Sequence, residues 1–278
     1  MISSKKYVDE TLKKNKLVAN KALGQNFLVE EDIAKYIVEN ADIDKETFVI
    51  EIGPGLGALS EFIIQKCGFL RAYEIDKNMV NILLNTFINE SNIEIINIDF
   101  VKVNLEEAIK EIKIKGYKKI TIISNLPYYI TNKLLNKILV NNLEIDSIVT
   151  MMQKEVGKKI INPDKKEFNQ LNVILSYQYD VSVVKYVGKN SYLPRPEIDS
   201  IVLKFKKTSP KYDVSFDKVI KVTSYLYEAR RKTIYNNLKP LFNDNGKLID
   251  ALKKCNLDIN MHVEQLSVND IIQICKYI

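Results

Sequence analysis

The chain has 278 residues, of which 46% are hydrophobic and 27% are charged, proportions typical of a globular protein with a sizeable core. Its three cysteines form no CxxC pair and its only histidine is His262, which disfavours disulfide frameworks, thiolate or multi-histidine metal sites, and histidine-dependent catalytic triads. The net charge of +6 favours a polyanionic partner.

The sequence also bears on the location of the protein. No apolar run approaches the roughly 20 residues needed to cross a bilayer. The charged N-terminus, MISSKKY, lacks the apolar core of a secretory signal, and an odd number of cysteines is typical of a reducing compartment. We therefore expect a cytoplasmic protein that has no membrane association and needs no metal ion.

Apolar, β-branched runs alternate with amphipathic stretches over most of the chain, which predicts strands alternating with helices around a parallel sheet. Residues 1–20 are rich in lysine and predict an irregular or partly helical arm, followed by a loop at 21–28. The predicted strands span residues 47–52, 70–76, 92–98, 120–123, 146–152, 180–187 and 200–206. The predicted helices span residues 30–40, 59–67, 77–87, 105–115, 132–140 and 171–177, although the last of these could also be a strand.

The sixth and seventh predicted strands flank a rigid loop with two prolines. We expect the two strands to form an antiparallel hairpin that closes the sheet. Residues 206–210 predict a linker, and helical periodicity continues from about residue 216. We therefore expect an α/β domain over residues 1–208 and a small all-α domain over residues 209–278.

A glycine-rich stretch, GPGLGAL, follows the first predicted strand directly and leads into a helix. Glycines at a strand-to-helix turn let backbone N–H groups approach a ligand closely, so Gly53 and Gly55 predict a nucleotide-type site. With Ala58 in the third place, the stretch also fits the loose dinucleotide pattern GxGxxA. The alternative is a tight turn that needs glycine for its backbone angles.

The next two predicted strands end in carboxylates. Glu74 lies where folds of this kind accept the two ribose hydroxyls of an adenosine, whereas Asp76 better fits the N-cap of the following helix. Asp99 can accept a hydrogen bond from an adenine amino group while Phe100 covers the ring. The alternatives are a surface acid or a helix cap for Glu74 and a turn residue for Asp99.

The fourth predicted strand ends in SNLPYY, residues 124–129. An amide, a proline and two tyrosines at the mouth of a buried strand make a poor core. Open α/β sheets bind their ligands just outside the carboxyl ends of the strands. We therefore predict the reaction centre at Asn125, Leu126, Pro127 and Tyr128.

Taken together, these stretches resemble the S-adenosylmethionine-dependent ribosomal RNA adenine-N6,N6-dimethyltransferases over almost the whole chain. The resemblance implies a Rossmann-like, seven-stranded methyltransferase domain followed by a helical rRNA-binding domain. It distinguishes the chain from nicotinamide dehydrogenases, which do not need a motif before the first strand or the NLPY segment after the fourth. The residues that carry it are GQNFL at 24–28, EIGPGLG at 51–57, Glu74, Asp99, NLPY at 125–128, Pro194, Pro196, Asp199 and Ser200.

The resemblance implies a cofactor, S-adenosyl-L-methionine, and a set of residues that contact it or line its pocket. The set combines the motif before the first strand, the glycine loop and the strand ends. Its members are Gln25, Asn26, Leu28, Gly53, Gly55, Glu74, Ile75, Asp99, Phe100 and Asn125.

Two branches of the family differ in their substrate. The GPGLG loop and the stretch EARRKTI at 228–234 look like the branch that dimethylates two adjacent adenosines in a 3′-terminal hairpin of 16S rRNA within the small ribosomal subunit and contributes to 30S biogenesis. The other branch modifies a 23S rRNA adenine and confers macrolide resistance. A further alternative is a ribosome-assembly factor whose binding role outweighs catalysis. We expect a monomer, because the substrate is itself a large surface.

The chemistry follows from the nucleophile, whose N6 lone pair is delocalised into the adenine ring and must be localised rather than deprotonated. The side-chain oxygen of Asn125 and the carbonyl of Leu126 can accept the two amino protons, and Pro127 has no N–H to compete. Tyr128, with Tyr192 opposite, can sandwich an extruded base. The alternatives are a core aromatic for Tyr128 and a loop packing residue for Tyr192.

The basic residues of the last third include an unusual arginine pair. The chain has 41 lysines and arginines together, and only four of them are arginines. The planar guanidinium fork of arginine suits phosphate. We therefore predict that Arg230, Arg231 and Lys232 contact RNA phosphates. On one helix turn the three cannot all face the same way, so one or two of them could instead pair with acids.

Overall fold

A computed structural model describes residues 1–127 and 130–278 of the chain. The strands are β1 (Phe27–Leu28), β2 (Thr47–Ile52), β3 (Phe69–Glu74), β4 (Ile93–Asn97), β5 (Lys119–Asn125), β6 (Ser147–Gln153), β7 (Tyr179–Val187), β8 (Tyr192–Leu193) and β9 (Ser200–Lys207). The helices are α1 (Lys5–Lys14), α2 (Glu31–Glu39), α3 (Ser60–Lys66), α4 (Lys77–Thr86), α5 (Leu105–Ile114), α6 (Thr131–Leu139), α7 (Lys154–Ile161), α8 (Gln170–Gln178), α9 (Phe216–Glu228), α10 (Ile234–Leu238), α11 (Asn245–Lys254) and α12 (Val268–Cys275).

The main sheet, within the described residues, has seven strands in the order β4-β3-β2-β5-β6-β9-β7. The strands from β4 to β6 are parallel to their neighbours, and β9 is antiparallel to β6. Every residue of β2 is buried, as are all residues of β5 except its two ends, as expected for parallel strands covered on both faces. The predicted Rossmann-like α/β fold with a seven-stranded main sheet is confirmed.

The strand order creates a crevice beside the centre of the sheet. The chain runs outward from β2 to β3 and β4, and then returns to place β5 on the other side of β2. Open α/β sheets bind ligands at such a switch point. Because Ile52 pairs with Ser124, the glycine loop after β2 and the segment after β5 leave the sheet side by side.

Helix boundaries follow from local chemistry. Ser4 caps α1 by accepting from the N–H of Tyr7. Asp76 caps α4 by accepting from the N–H of Asn78, and this second cap was predicted. The arm before residue 20 is thus largely helical. Residues 170–178 form a helix, which decides between the two alternatives left open for that stretch.

A second, two-stranded sheet was not predicted. The strand β1 pairs antiparallel with β8, with Phe27 opposite Leu193 and Leu28 opposite Tyr192. Strands of two residues are too short to show an alternation in hydropathy, so sequence periodicity cannot reveal them. The pairing ties the segment before β2 to the loop that contains the two late prolines.

The chain forms two compact units. The first comprises residues 1–138, 143–157 and 181–207, and the second comprises residues 139–142, 158–180 and 208–278. The predicted boundary at residue 208, between an α/β domain and a small all-α domain, stays a prediction. In the second unit α9 packs against α8, α10 and α12, and its inward residues Val219, Val222 and Leu226 are fully buried. Across the described residues no helix combines the length and the hydropathy that crossing a membrane requires.

Candidate active site

A cavity of about 320 Å³ opens at the carboxyl ends of the strands from β2 to β5. It brings together residues that are far apart in the sequence, from the segment before β2 to the segment after β5. The residues predicted for the site that line it are Gln25, Asn26, Leu28, Gly53, Gly55, Glu74, Ile75, Asp99, Phe100, Asn125, Leu126 and Pro127. All of these lie in the first compact unit.

The glycine loop forms the floor of the cavity. Gly53, with a φ of 66°, adopts the left-handed conformation that favours glycine, and a Cβ placed there would meet no atom within 4 Å. Gly57, with a φ of 93°, has a different constraint, because a Cβ there would lie 2.9 Å from the ring of Phe87. The first glycine therefore leaves open space for a ligand, and the last one lets the loop pack on α4.

Glu74 is held rigidly at the end of β3. Its Oε2 accepts from the backbone N–H of Gly55 at 3.1 Å, and its Oε1 accepts from the N–H of Asp76 at 2.8 Å. The residue is only 5% exposed, and burial raises the pKa of its carboxyl group, which these two hydrogen bonds oppose. Each oxygen keeps a second lone pair, so the carboxylate can still accept from a ligand.

Gln25 lines the cavity, and its amide group is held by hydrogen bonds within the protein. Its Nε2 donates to Oδ2 of Asp76 at 2.8 Å, and its Oε1 accepts from the N–H of Asn20 at 2.8 Å. Both ends of the amide are therefore engaged within the protein. Gln25 fastens the loop before β1 to the turn after β3, and a direct contact with a cofactor stays a prediction.

Asp99 and Phe100 form one side of the cavity after β4. The Oδ1 of Asp99 accepts from the N–H of Val101 at 2.9 Å, which caps a short 3₁₀ turn. Phe100 is 4% exposed and its ring meets Tyr73 edge-on at 5.3 Å. The turn is fixed further by Lys137 of α6, whose Nζ donates to the Val101 carbonyl at 2.7 Å. Sequence reasoning missed Lys137, because an isolated lysine on a helix carries no signal of its partner.

The predicted reaction centre lies between β6 and α6. The N–H of Leu126 donates to the carbonyl of Met151 at 3.0 Å, and the carbonyl of Pro127 accepts from Thr131 Oγ1 at 3.2 Å. The Nδ2 of Asn125 donates to the carbonyl of Asn26 at 3.4 Å. The motif before β2 is thereby joined to the end of β5. The predicted catalytic residue Tyr128 lies outside the described residues.

Glu51 is a cavity residue that was not singled out as a ligand contact. It is 1% exposed, and Ser60 Oγ donates to its Oε2 at 2.6 Å. Burial raises the pKa of its carboxyl group to about 8. The signal available in the sequence was an acidic residue within a strand, TFVIEI, that is mainly apolar. Among the described residues no group of three or more His, Cys, Asp or Glu side chains could hold a metal ion.

We expect the Glu51→Gln variant to unfold at a temperature that depends less on pH than that of the parent chain. The pKa of Glu51 is about 8 in the folded protein against an ordinary value of 4.5. Between these values the unfolded chain has lost a proton that the folded chain keeps, so the free energy of unfolding falls as pH rises to 8. The free energy of unfolding should fall by a few kcal/mol over this pH range. Each kcal/mol corresponds to a decrease of about 2–4 °C in Tm.

Melting curves of the parent, Glu51→Gln and the exposed control Glu106→Gln, recorded between pH 5 and pH 9, would check this expectation. The control should keep the slope of the parent. Equal slopes for all three proteins would contradict a neutral, buried Glu51.

Two predicted roles gain no support from the structure. Tyr192 is 3% exposed and belongs to the main hydrophobic core, where its hydroxyl donates to Sδ of Met151 at 2.8 Å. The ring packs in the core in this position, and its stacking on a base stays a prediction. The physical reason for the packing is the pairing of β8 with β1, which turns Tyr192 inward.

The basic cluster also lies differently than expected. Arg230, Arg231 and Lys232 occupy the turn between α9 and α10 rather than a helix, so the expectation of one helix turn was wrong. Arg230 is half-buried with its guanidinium over the ring of Tyr227 at 5.8 Å, whereas Arg231 and Lys232 are exposed. Contact with RNA phosphates stays a prediction for all three residues, and Arg231 and Lys232 are the more accessible ones.

The chain is similar to known proteins over most of its length. Residues 16–278 match the family model described as ribosomal RNA adenine dimethylase. The chain is 35% identical over 257 residues to the ribosomal RNA small subunit methyltransferase A of Staphylococcus aureus strain MRSA252, covering 90% of this chain and 86% of that protein. Two solved structures share the fold. A dimethyladenosine transferase from Plasmodium falciparum has a TM-score of 0.69 at 20% identity, covering 88% of this chain and 94% of that one. The 23S rRNA methyltransferase ErmE has a TM-score of 0.64 at 18% identity, covering 91% and 99%.

Proposed function

Because the chain belongs to the ribosomal RNA adenine dimethylase family and is therefore an rRNA adenine methyltransferase, we propose that it dimethylates the N6 amino groups of two adjacent adenosines in a 3′-terminal hairpin of 16S rRNA. The substrate would be the small ribosomal subunit during its biogenesis. The protein would act on it as a monomer in the cytoplasm. The observation that supports this choice is the 35% identity, over most of both chains, to a relative named for the small subunit.

The cavity fits S-adenosylmethionine, which supplies an electrophilic methyl group on a sulfonium when bound. The open space above Gly53 admits a ligand close to the backbone. The fixed carboxylate of Glu74 suits two ribose hydroxyls, and Asp99 suits an adenine amino group beside Phe100. Asn26, Leu28, Gly55 and Ile75 also line the cavity.

The residues after β5 would orient the nucleophile. The Asn125 side-chain oxygen and the Leu126 carbonyl would accept the two protons of the N6 amino group, which favours a pyramidal nitrogen with its lone pair directed at the methyl donor. Pro127 contributes no competing N–H. The hydrogen bonds of Leu126 to β6 and of Pro127 to α6 keep this segment in place before the substrate arrives. Such orientation can contribute about 7–11 kcal/mol to catalysis.

We expect the double variant Arg231→Ala, Lys232→Ala to bind rRNA with a weaker dependence on salt. Each phosphate contact that is lost reduces the slope of log K against log salt concentration by roughly 0.7–0.9, so two lost contacts should reduce it by about 1.4–1.8. Filter binding to a 16S rRNA fragment from 50 to 300 mM KCl would measure the slope. The double variant Lys165→Ala, Lys166→Ala removes the same charge from another exposed site of the same unit and serves as the control. An unchanged slope in the first variant would refute the assignment.

The proposed substrate is tested with labelled S-adenosylmethionine and two acceptors, unmethylated small subunits and protein-free 23S rRNA. We expect label in the small subunits only, recovered as N6,N6-dimethyladenosine. Label only in 23S rRNA would overturn the proposed substrate. Binding to small subunits without any transfer would instead identify an assembly factor.

A further inference from the structure

The N-terminal segment, residues 1–19, forms part of the cavity although most of it lies outside the match to the family. The family model begins at residue 16, whereas α1 ends at Lys14. Even so, Ile2 and Val8 line the cavity, and they are 9% and 1% exposed. The cavity wall therefore includes an element that lies outside the family-model match.

The apolar side of α1 packs on the elements that carry the site. Val8 belongs to a small hydrophobic cluster with Leu56 of the glycine loop and Met79 of α4. Leu12 also packs on this cluster, but it does not line the cavity. The opposite side of the segment carries exposed lysines. The helix thus has one face for the cavity and one face for solvent.

Few polar contacts fasten the segment. The backbone N–H of Ile2 donates to Oε2 of Glu61 on α3 at 2.9 Å, and the hydroxyls of Tyr7 and Thr86 lie 3.3 Å apart. Ser3 is 1% exposed, and its Oγ has no hydrogen-bond partner among the described residues. A buried hydroxyl without a partner disfavours the docked arrangement. The segment is therefore held mainly by the burial of a few apolar side chains, unlike the strands of the sheet.

We propose that the N-terminal segment is a cofactor-retaining strap, with Ile2 and Val8 as its contacts to the bound cofactor. When it is docked, these two side chains close one side of the cavity with apolar surface and slow dissociation. When it is undocked, cofactor and product exchange. This role rests on the proposed S-adenosylmethionine site and adds to it the element that sets the exchange rate. Each adenosine takes two methyl groups in turn, so exchange must occur repeatedly for one RNA.

The test measures dissociation rate constants of S-adenosylmethionine and S-adenosylhomocysteine from the full chain by stopped-flow displacement. The double variant Ile2→Ala, Val8→Ala should release both at least about tenfold faster. The control Leu12→Ala removes apolar surface from the same helix without touching the cavity, and it should change the rates less than twofold. Glu61→Ala removes the anchor of Ile2 but no cavity residue, and it should also accelerate release. Circular dichroism at the assay temperature checks that every variant is folded.

The outcomes separate the strap from the site itself. Parent-like rates in both Ile2→Ala, Val8→Ala and Glu61→Ala would overturn the strap while leaving the proposed cofactor site intact. Equal acceleration in Leu12→Ala would also overturn it, because general loosening of the cluster would then explain the effect. Failure of the unsubstituted chain to bind either compound would refute the cofactor site, and the strap with it.

Discussion

The Asn125→Ala variant is expected to transfer methyl groups at least about a thousandfold more slowly than the parent chain, while its affinity for S-adenosylmethionine falls less than tenfold. The side-chain oxygen of Asn125 is the acceptor that would hold one amino proton of the target adenine in the transition state. Removal of one such preorganised hydrogen-bonding group costs about 10²–10³ in turnover, and misplacement of the nucleophile adds to this loss.

Single-turnover transfer to unmethylated small subunits measures the rate, and isothermal titration measures cofactor affinity. Asn85→Ala is the matched control, because Asn85 is an exposed asparagine of α4 whose side chain donates to the Asn81 carbonyl one turn earlier. Turnover near the parent rate in Asn125→Ala would remove Asn125 from the mechanism. An equal fall in turnover and affinity would reassign it to cofactor binding.

The second large effect is expected from Glu74→Gln, which should weaken cofactor binding by about a hundredfold or more and alter turnover at saturation much less. Hydrogen bonds to a charged acceptor contribute about 1.5–3 kcal/mol each, and a carboxylate at this position can accept from both ribose hydroxyls. Glutamine keeps the shape but has one acceptor oxygen, and its NH₂ group would face the N–H donors of Gly55 or Asp76.

Titration calorimetry gives the affinity of the variant, and a melting curve shows whether the clash with the backbone donors also destabilises the fold. The exposed residue Glu90 provides the control Glu90→Gln, which should bind like the parent. Parent-like affinity in Glu74→Gln would rule out the proposed ribose contact. Weak affinity for the cofactor, together with full turnover once the cofactor is saturating, would support it.

The central part of the fold follows from local sequence. The run TFVIEI and the run before Asn125 are too apolar and too rich in β-branched residues for anything but buried strands, and the glycines after Ile52 mark where the first of them ends. Because the carboxyl ends of parallel strands share one edge, Glu74, Asp99 and Asn125 could be placed together before their distances were known.

What the sequence did not reveal depends on contacts between distant residues. The two-residue strand β1 has no periodicity, so the pairing that buries Tyr192 left no local trace. The same holds for the amide of Gln25, which bonds to Asp76, and for the amine of Lys137, which reaches the Val101 carbonyl. In each case the residue type was compatible with a ligand contact, a surface position or an internal hydrogen bond, and only the tertiary structure distinguishes them.

The pairing of β1 with β8 has a consequence for how the protein matures during its own synthesis. Phe27 and Leu193 are separated by roughly 165 residues, so the segment before β2 cannot reach its final place until the chain has grown past Leu193. At about 5–20 residues per second, that delay is on the order of 10–30 s. A nascent chain that has completed β2 to β6 already carries Glu74, Asp99 and Asn125 but lacks the strand β8 that pairs with Phe27 and Leu28. Ligand affinity should therefore arise late in translation, as one of the last properties that the first compact unit acquires.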